Sequence, residues 1–258
     1  MLRKNDQYVK LAVKKNKKHM FRCPCCNSLT LTENDEICVD ICPVCYWQYD
    51  RVGQDYSNEA IGPNRVSFNQ AKVNYITFGA SEERFVKFVR KPTEEEIYGY
   101  SRIDNKTHML LWDRIVGDYH FSANYTTNTY PWISIAGIYK TFSLPEKVWS
   151  KEQELLINSF FIKLNCSRLY ALDWQHDGFE YSPENYSKMI KEYHDDKRDC
   201  NVYFPCFYPN GDYHFFVDPS FEIGIWGHPW MKKIVVIGKE LIIAFEMYSK
   251  QLNLTIDD

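Results

Sequence analysis

The sequence predicts an α+β chain: a small cysteine-anchored, ribbon-like module with short helices, then an antiparallel β-sheet domain with flanking helices. Three observations carry this. Cys23-Pro24-Cys25-Cys26 and Cys42-Pro43-Val44-Cys45 form two Cys-x-x-Cys pairs, with fifteen residues between Cys26 and Cys42. In the second half, short apolar runs alternate with turn residues, as strands do. Aromatics make up 16% of the chain, with 19 Tyr and 16 Phe, residues that favour strands and large packed cores.

The two cysteine pairs have the spacing of a four-thiolate site. Each Cys-Pro-x-Cys can form a tight turn, because Pro fixes φ near −65° at its second position. Two such turns on facing hairpins bring four sulfurs to one point, a tetrahedral arrangement that suits Zn²⁺ and not Mg²⁺ or Ca²⁺. A zinc-ribbon-like module with structural Zn²⁺ on Cys23, Cys26, Cys42 and Cys45 is therefore expected. Disulfides fit poorly, since nine cysteines is an odd count and no secretory segment is evident. A redox dithiol wants a βαβ context, which is missing. An iron–sulfur or bare iron site is the remaining alternative. Cys25 lies inside the first turn and Cys38 four residues before Cys42; neither has a partner at ligand spacing and both read as packing thiols, although Cys25 could compete with Cys26 for the metal.

The chain has 258 residues, enough for one or two domains, and 25% are charged. Its net charge of −3 excludes a global nucleic-acid footprint. Residues 1–22 nevertheless carry eight Lys or Arg against Asp6, so this arm is +7 and the remainder −10. Such an arm can bind nucleic acid or an acidic membrane, but with no interleaved aromatics beyond Tyr8 it reads rather as a solvated tail that can fold back on the acidic segment after the cysteine site. No apolar run approaches a membrane span. Cysteines in reduced-looking pairs and the lack of a targeting signal point to the cytoplasm.

Residues 1–20 are expected as a basic arm, 21–96 as the zinc module, 97–106 as a linker and 107–258 as the α+β domain. Within the module, Ser28 to Thr32 and Ile37 to Ile41 read as short strands, and Trp47 and Tyr49 should pack on the metal site. Arg51 to Asn64 reads as polar loop. Ser67 with Gln70 makes a capping box for a helix with Ala71, Tyr75 and Ile76 on one face, stopped by Gly79. Ser81 should cap a second helix burying Phe85, Val86, Phe88 and Val89, and Thr93 with Glu96 a last turn.

Residues 21–96 resemble the cysteine-rich CPCC domain family of bacteria. The resemblance rests on Cys23-Pro24-Cys25-Cys26, Ile41-Cys42-Pro43-Val44-Cys45-Tyr46-Trp47, Gly62-Pro63-Asn64 before a helix, and Arg90-Lys91-Pro92-Thr93. Asn27 stands where such sequences usually have Gly, and Asn tolerates the left-handed conformation. Gln48 and Tyr49 replace the acidic residues usual after the Trp. The resemblance implies a small metal-binding module and no activity.

In the second half, Met109 to Val116 reads as a short helix, and Tyr119 to Tyr125 and Trp132 to Phe142 as strands. Ser150 and Gln153 box a helix that should bury Leu155, Leu156, Ser159, Phe160 and Ile162 to Leu164. Arg168 to Trp174 and Phe179 to Tyr181 flank a turn at Gln175-His176-Asp177-Gly178. Residues 182–200 read as a surface helix or loop. Val202 to Tyr208 and Tyr213 to Val217 should form a hairpin across Pro209-Asn210-Gly211-Asp212, since Asn-Gly suits positive φ. Phe221 to Trp226 and Ile234 to Ile237 are the last strands, and Lys239 to Gln251 the closing helix, with Leu241, Ile242, Phe245 and Tyr248 inward. Residues 105–250 resemble a bacterial domain of unknown function through Tyr170-Ala171-Leu172-Asp173-Trp174-Gln175-His176-Asp177, Pro209-Asn210-Gly211-Asp212-Tyr213 and Gly227-His228-Pro229-Trp230. That implies an α+β fold and no assigned chemistry.

Asp173, His176, Asp177, Asp212, His214 and His228 could converge at one end of the sheet. Asp173, His176 and His228 would then do acid–base work, or His176 and His228 would hold a metal. The blander reading makes His176 and Asp177 turn formers and packs His228 beside Trp230. No nucleophile elbow or phosphate-cradling loop appears. The leading expectation is a non-catalytic protein that binds another protein, for instance as an immunity-type partner of a toxin. Trp174, His176, Asp177, Asp212, His228 and Trp230 would form its binding surface. An enzyme on the His/Asp site and nucleic-acid binding through the basic arm are the rivals.

Overall fold

The computed structural model describes residues 20–32, 40–121 and 137–256. The basic arm up to residue 19, Cys38 with most of the strand expected at Ile37 to Ile41, and the stretch 122–136 lie outside them. The described chain is α+β and divides into two compact units: residues 20–100 with 187–190, and residues 101–186 with 191–256.

The first unit is built on two small hairpin-like turns. β1 (Met20–Arg22) pairs antiparallel with β2 (Leu29–Thr32), and an isolated bridge joins Ile41 to Gln48. One Cys-x-x-Cys turn sits in each. The polar stretch expected as loop holds a helix, α1 (Arg51–Asp55), because Asp50 caps it by accepting the Gly53 N–H at 3.0 Å. Ser67 caps α2 (Phe68–Phe78), but Gln70 turns its side chain to Asn74, so only half of the expected box forms. Gly79 ends it in the left-handed conformation, φ 85°. Phe68 and Ala71 are buried, whereas Ile76, expected inward, is 85% exposed. No helix follows Ser81: only a 3₁₀ turn forms at Glu83–Phe85, and Val86 and Phe88 are exposed. Ser81 is instead buried, its N–H donating to the Cys45 carbonyl at 2.6 Å. α3 (Glu94–Tyr98) has the full Thr93–Glu96 box. Residues 187–190 return to this unit, where the Lys188 carbonyl accepts Arg22 Nη2 at 2.7 Å and the Ile190 carbonyl accepts the Tyr100 hydroxyl at 2.9 Å.

The stretch 97–106 is regular structure: the end of α3, β3 (Tyr100–Arg102) and the start of α4 (Asn105–Asp118), capped by Asp104. α4 thus exceeds the expected Met109 to Val116. Residues 119–121 are not a strand; Tyr119 closes α4. Then come β4 (Tyr139–Ser143), α5 (Lys151–Lys163), β5 (Leu169–Asp173), β6 (Phe179–Tyr181), a 3₁₀ turn at Pro183–Lys188, β7 (Glu192–Asp195), β8 (Cys200–Tyr203), β9 (His214–Val217), β10 (Gly224–His228), β11 (Lys233–Ile237), α6 (Lys239–Met247) and β12 (Thr255–Ile256). One sheet runs β12-β4-β11-β10-β9-β5-β6-β3, and β7 and β8 form a separate hairpin where a surface helix or loop was expected.

The hairpin expected across Pro209 to Asp212 does not form. β8 pairs with β7, while β9 pairs with β5 and β10. The chain leaves β8 after Tyr203 because the next rings are drawn into the core. Phe207 packs on Phe216 with centroids 4.3 Å apart, and Phe204 packs against Phe179 at 5.4 Å. Buried Glu154 of α5 then takes the Phe207 and Tyr208 N–H groups at 2.9 and 3.0 Å. A run with strand composition is bent off by tertiary packing and by one carboxylate.

Side chains alternate across the sheet. Tyr170, Leu172, Tyr213, Phe215, Val217, Trp226, Val235 and Ile237 cover one face and pack with Leu111 and Ile115 of α4 and with Phe121. The opposite parity places Ala171, Phe216, Ile225, Ile234, Val236 and Phe142 on the other face. There Phe245 of α6 meets Phe142 and Phe160 at 5.9 and 5.5 Å. α5 buries Glu154, Ile157, Asn158, Phe160 and Phe161, a face rotated from the one expected around Leu155, Leu156 and Ser159.

Candidate functional site

In the first unit, one sulfur each from Cys23, Cys26, Cys42 and Cys45 lies within 4.8 Å of all the others. Cys23 Sγ is 3.6 Å from Cys45 Sγ, and Cys26 Sγ is 3.6 Å from Cys42 Sγ. A tetrahedral ion with bonds of about 2.3 Å to sulfur requires edges of about 3.8 Å. The cluster therefore fits a metal ion. Both turns are closed alike: Asn27 N–H donates to the Cys23 carbonyl at 2.8 Å and Tyr46 N–H to the Cys42 carbonyl at 2.7 Å. Asn27 (φ 62°) and Tyr46 (φ 64°) hold the left-handed conformation these turns need. Asn at this place is legible in the sequence. Tyr is not, and it is held by stacking on Phe85 at 4.2 Å. Trp47 is buried against the cysteines, and Tyr49 packs at their edge, as expected. Cys25 is buried in the same apolar cluster but is not one of the four gathered sulfurs.

The four thiols compete for protons. Hydrogen bonds from neighbouring thiols, Cys23 first, hold Cys42 far below its ordinary value; hydrogen bonding to Cys23 pushes Cys45 far above it. Only with a cation among them could all four of these closely packed, largely buried groups be thiolates together.

The second unit holds a polar cleft of about 810 Å³, with Asp173, His176, His214, His108, Arg198 and Cys206 among its lining. Its centre is a cross-strand pair: Asp173 ends β5 opposite His214, which starts β9. Asp173 Oδ1 stands 3.3 Å from His176 Nδ1 and 3.8 Å from His214 Nε2. Asp212 joins Asp173 and His176 within 4.8 Å. Burial pushes the Asp173 carboxyl up, against the opposing pull of His214 and His176. Asp177 turns away to Arg198, with contacts of 3.0 and 2.6 Å, and Arg198 also grips Asp195 at 2.8 Å. His108 accepts the Trp112 Nε1–H at 3.0 Å, and burial lowers its pKa. Burial pushes the Cys206 thiol up to about 12, and its Sγ donates to the Tyr208 carbonyl at 2.8 Å.

His228 does not join this group. Gly227 pairs with His214 and Trp226 with Phe215, so His228 lies on the sheet face of Tyr213 and Trp226, opposite Asp173 and His214. The acid–base trio of Asp173, His176 and His228, and a metal shared by His176 and His228, are therefore not assembled. Trp174 packs on the core of that same face, with Trp112 and Phe121 at 5.0 and 5.3 Å. Trp230 is 52% exposed, edge-on to Tyr213 at 5.0 Å. The residues expected as one binding surface are thus split between two faces. Arg198 and His108 went unforeseen, and no local pattern marks either. The parity that separates His228 from His214 becomes legible only once the β9–β10 register is known.

The fold and its two clusters define a two-unit α+β protein with a metal-competent cysteine tetrad and a His–carboxylate cleft. The chain belongs to the family described as Protein of unknown function (DUF2716), whose model matches residues 102–242. Residues 21–96 match the Cysteine-rich CPCC family model. Uncharacterized protein YxiI of Bacillus subtilis (strain 168) is 45% identical over 78 residues, 30% of this chain. The chain spans 43% of the length of that relative. No solved structure matches. Among the described residues, no helix is long and apolar enough to cross a membrane.

Proposed function

We propose that this is a zinc-stabilised, non-catalytic protein that binds another protein through its cysteine-rich unit. Cys23, Cys26, Cys42 and Cys45 hold structural Zn²⁺. All four positions are filled by thiolates, which leaves none for substrate. Zinc in such sites supplies about 10–16 kcal/mol of apparent binding free energy in finger peptides, enough to decide whether so small a unit folds.

The observation that carries the binding role is the outward face of α2. Asn69, Val73 and Ile76 share that face by helical spacing, and Val73 and Ile76 are 55% and 85% exposed. Asn69 is hydrogen-bonded to Ser57 and Asn58, which brings the face beside Tyr56, 57% exposed. Apolar side chains gathered on a small unit with such exposure mark a partner surface.

The test pairs metal content with partner capture. Native mass spectrometry of the full chain should find one Zn²⁺, lost on chelation. Crosslinked capture from native lysate should recover a stoichiometric protein with the wild type and lose it with Val73→Asp/Ile76→Asp, at unchanged zinc content and fold. Equal capture by both proteins overturns the assignment of the surface, and a metal-free protein from zinc-replete medium overturns the zinc.

A further inference from the structure

We infer that the cleft of the second unit binds a divalent first-row transition-metal ion through Asp173, His176, Asp212 and His214, separately from the four cysteines. The first support is geometry. One ligand atom each from Asp173, His176 and Asp212 falls within 4.8 Å of the other two, and His214 Nε2 stands 3.8 Å from Asp173 Oδ1. Metal bonds of 2.0–2.2 Å to nitrogen or oxygen place ligand atoms of a tetrahedral site about 3.3–3.6 Å apart. The 3.3 Å between His176 Nδ1 and Asp173 Oδ1 already meets this, and His214 needs a shift of under about 1 Å.

The second support is independent of clustering. His214 is 4% exposed, and its Nδ1 is 2.8 Å from the Cys206 carbonyl oxygen. A carbonyl only accepts, so Nδ1 carries a proton, and in the neutral ring Nε2 is left with its lone pair. That lone pair faces Asp173 Oδ1, a buried oxygen that makes no well-formed hydrogen bond and has only the exposed His176 Nδ1 loosely beside it at 3.3 Å. Across the two strands, acceptor faces acceptor, a costly arrangement that a cation resolves. A ring N–H held by a backbone carbonyl is also the usual outer partner of a metal-bound histidine. Asp212 is steered likewise, its Oδ1 accepting the Tyr213 N–H at 2.8 Å.

Two imidazoles with two carboxylates suit Zn²⁺, Co²⁺, Fe²⁺ or Mn²⁺ and disfavour the all-oxygen preference of Mg²⁺ and Ca²⁺. The His176 side chain is 65% exposed, so the site opens to the cleft and leaves coordination positions for water or a small anionic ligand.

Co²⁺ alone is the probe, added to the zinc-loaded full chain. The expected result is one equivalent bound with d–d bands but no thiolate charge-transfer band, which separates this site from the cysteines. Asp212→Asn and His176→Ala, at partly or largely exposed positions, should each weaken it at least ten-fold, since loss of even an outer partner costs about 10–100-fold. His228→Gln, on the other sheet face, should leave it unchanged. No cobalt beyond the thiolate-bound equivalent, or equal affinity in Asp212→Asn and His176→Ala, overturns the inference. In that case a proton on Asp173 or His214 bridges the pair.

Discussion

His228 should make this protein acid-sensitive in a defined window. The ring is 4% exposed, flanked by Tyr213 at 4.8 Å and by Trp226 and Trp230 at 5.9 Å, and its Nδ1 accepts the Met231 N–H at 3.3 Å. Burial lowers its pKa from 6.5 to about 4. The folded chain therefore keeps the ring neutral while the unfolded chain protonates it below 6.5. Stability from this group is complete above pH 6.5 and is lost as pH falls from 6.5 towards 4. At 1.36 kcal/mol per pH unit the full loss is about 3 kcal/mol. Urea unfolding of wild type and His228→Gln between about pH 7.5 and 4 would read it. Gln keeps an acceptor for Met231 and does not titrate. Thiolate protonation and other groups act on both proteins, so the difference between their pH curves isolates His228. The wild type should lose about 3 kcal/mol more than the variant across this window. Parallel curves would refute the placement of a buried neutral imidazole on this face.

Cys45→Ser should abolish metal retention, and hydrogen exchange should show amides of residues 20–100 losing protection while those of β9 to β11 keep theirs. Glu154→Ala strips the buried acceptor from Tyr186 Oη and the Phe207 and Tyr208 N–H groups. At about 1–3 kcal/mol for each orphaned donor it should cost at least about 3 kcal/mol in urea unfolding. Gly62→Ala forces a Cβ to within 2.2 Å of Asp50 Oδ2 at φ +81°, and should lower the melting temperature through at least about 1–3 kcal/mol of backbone strain.

What was legible in the sequence is what local chemistry decides. The cysteine turns, the caps at Ser67, Thr93 and Ser150, and the glycine stop after α2 all follow from residues within a few positions. What was not legible depends on distant partners. Val202 to Tyr208 has the composition of one strand, yet it is split by aromatic rings and by Glu154, 53 residues away. α5 hides a carboxylate and an amide that composition would turn to water, because Tyr186, Phe207, Tyr208 and the Pro183 carbonyl wait for them. The cleft was half legible. Asp173 and His176 share a turn and so were grouped correctly, but His228 was misgrouped because a strand's parity has no meaning until its register is fixed.

The short return at Ser187–Ile190 sets an order of assembly. Arg22, near the start of the cysteine-rich unit, rests on the Lys188 carbonyl, and Tyr100 on that of Ile190. During synthesis this unit emerges first yet lacks these acceptors until some ninety further residues have been added. At 5–20 residues per second that is a wait of roughly 5–18 s. The earlier-made of the two units is thus finished by residues made much later, and a fragment ending at residue 100 would leave Arg22 Nε and Nη2 without the Lys188 carbonyl and the Tyr100 hydroxyl without that of Ile190.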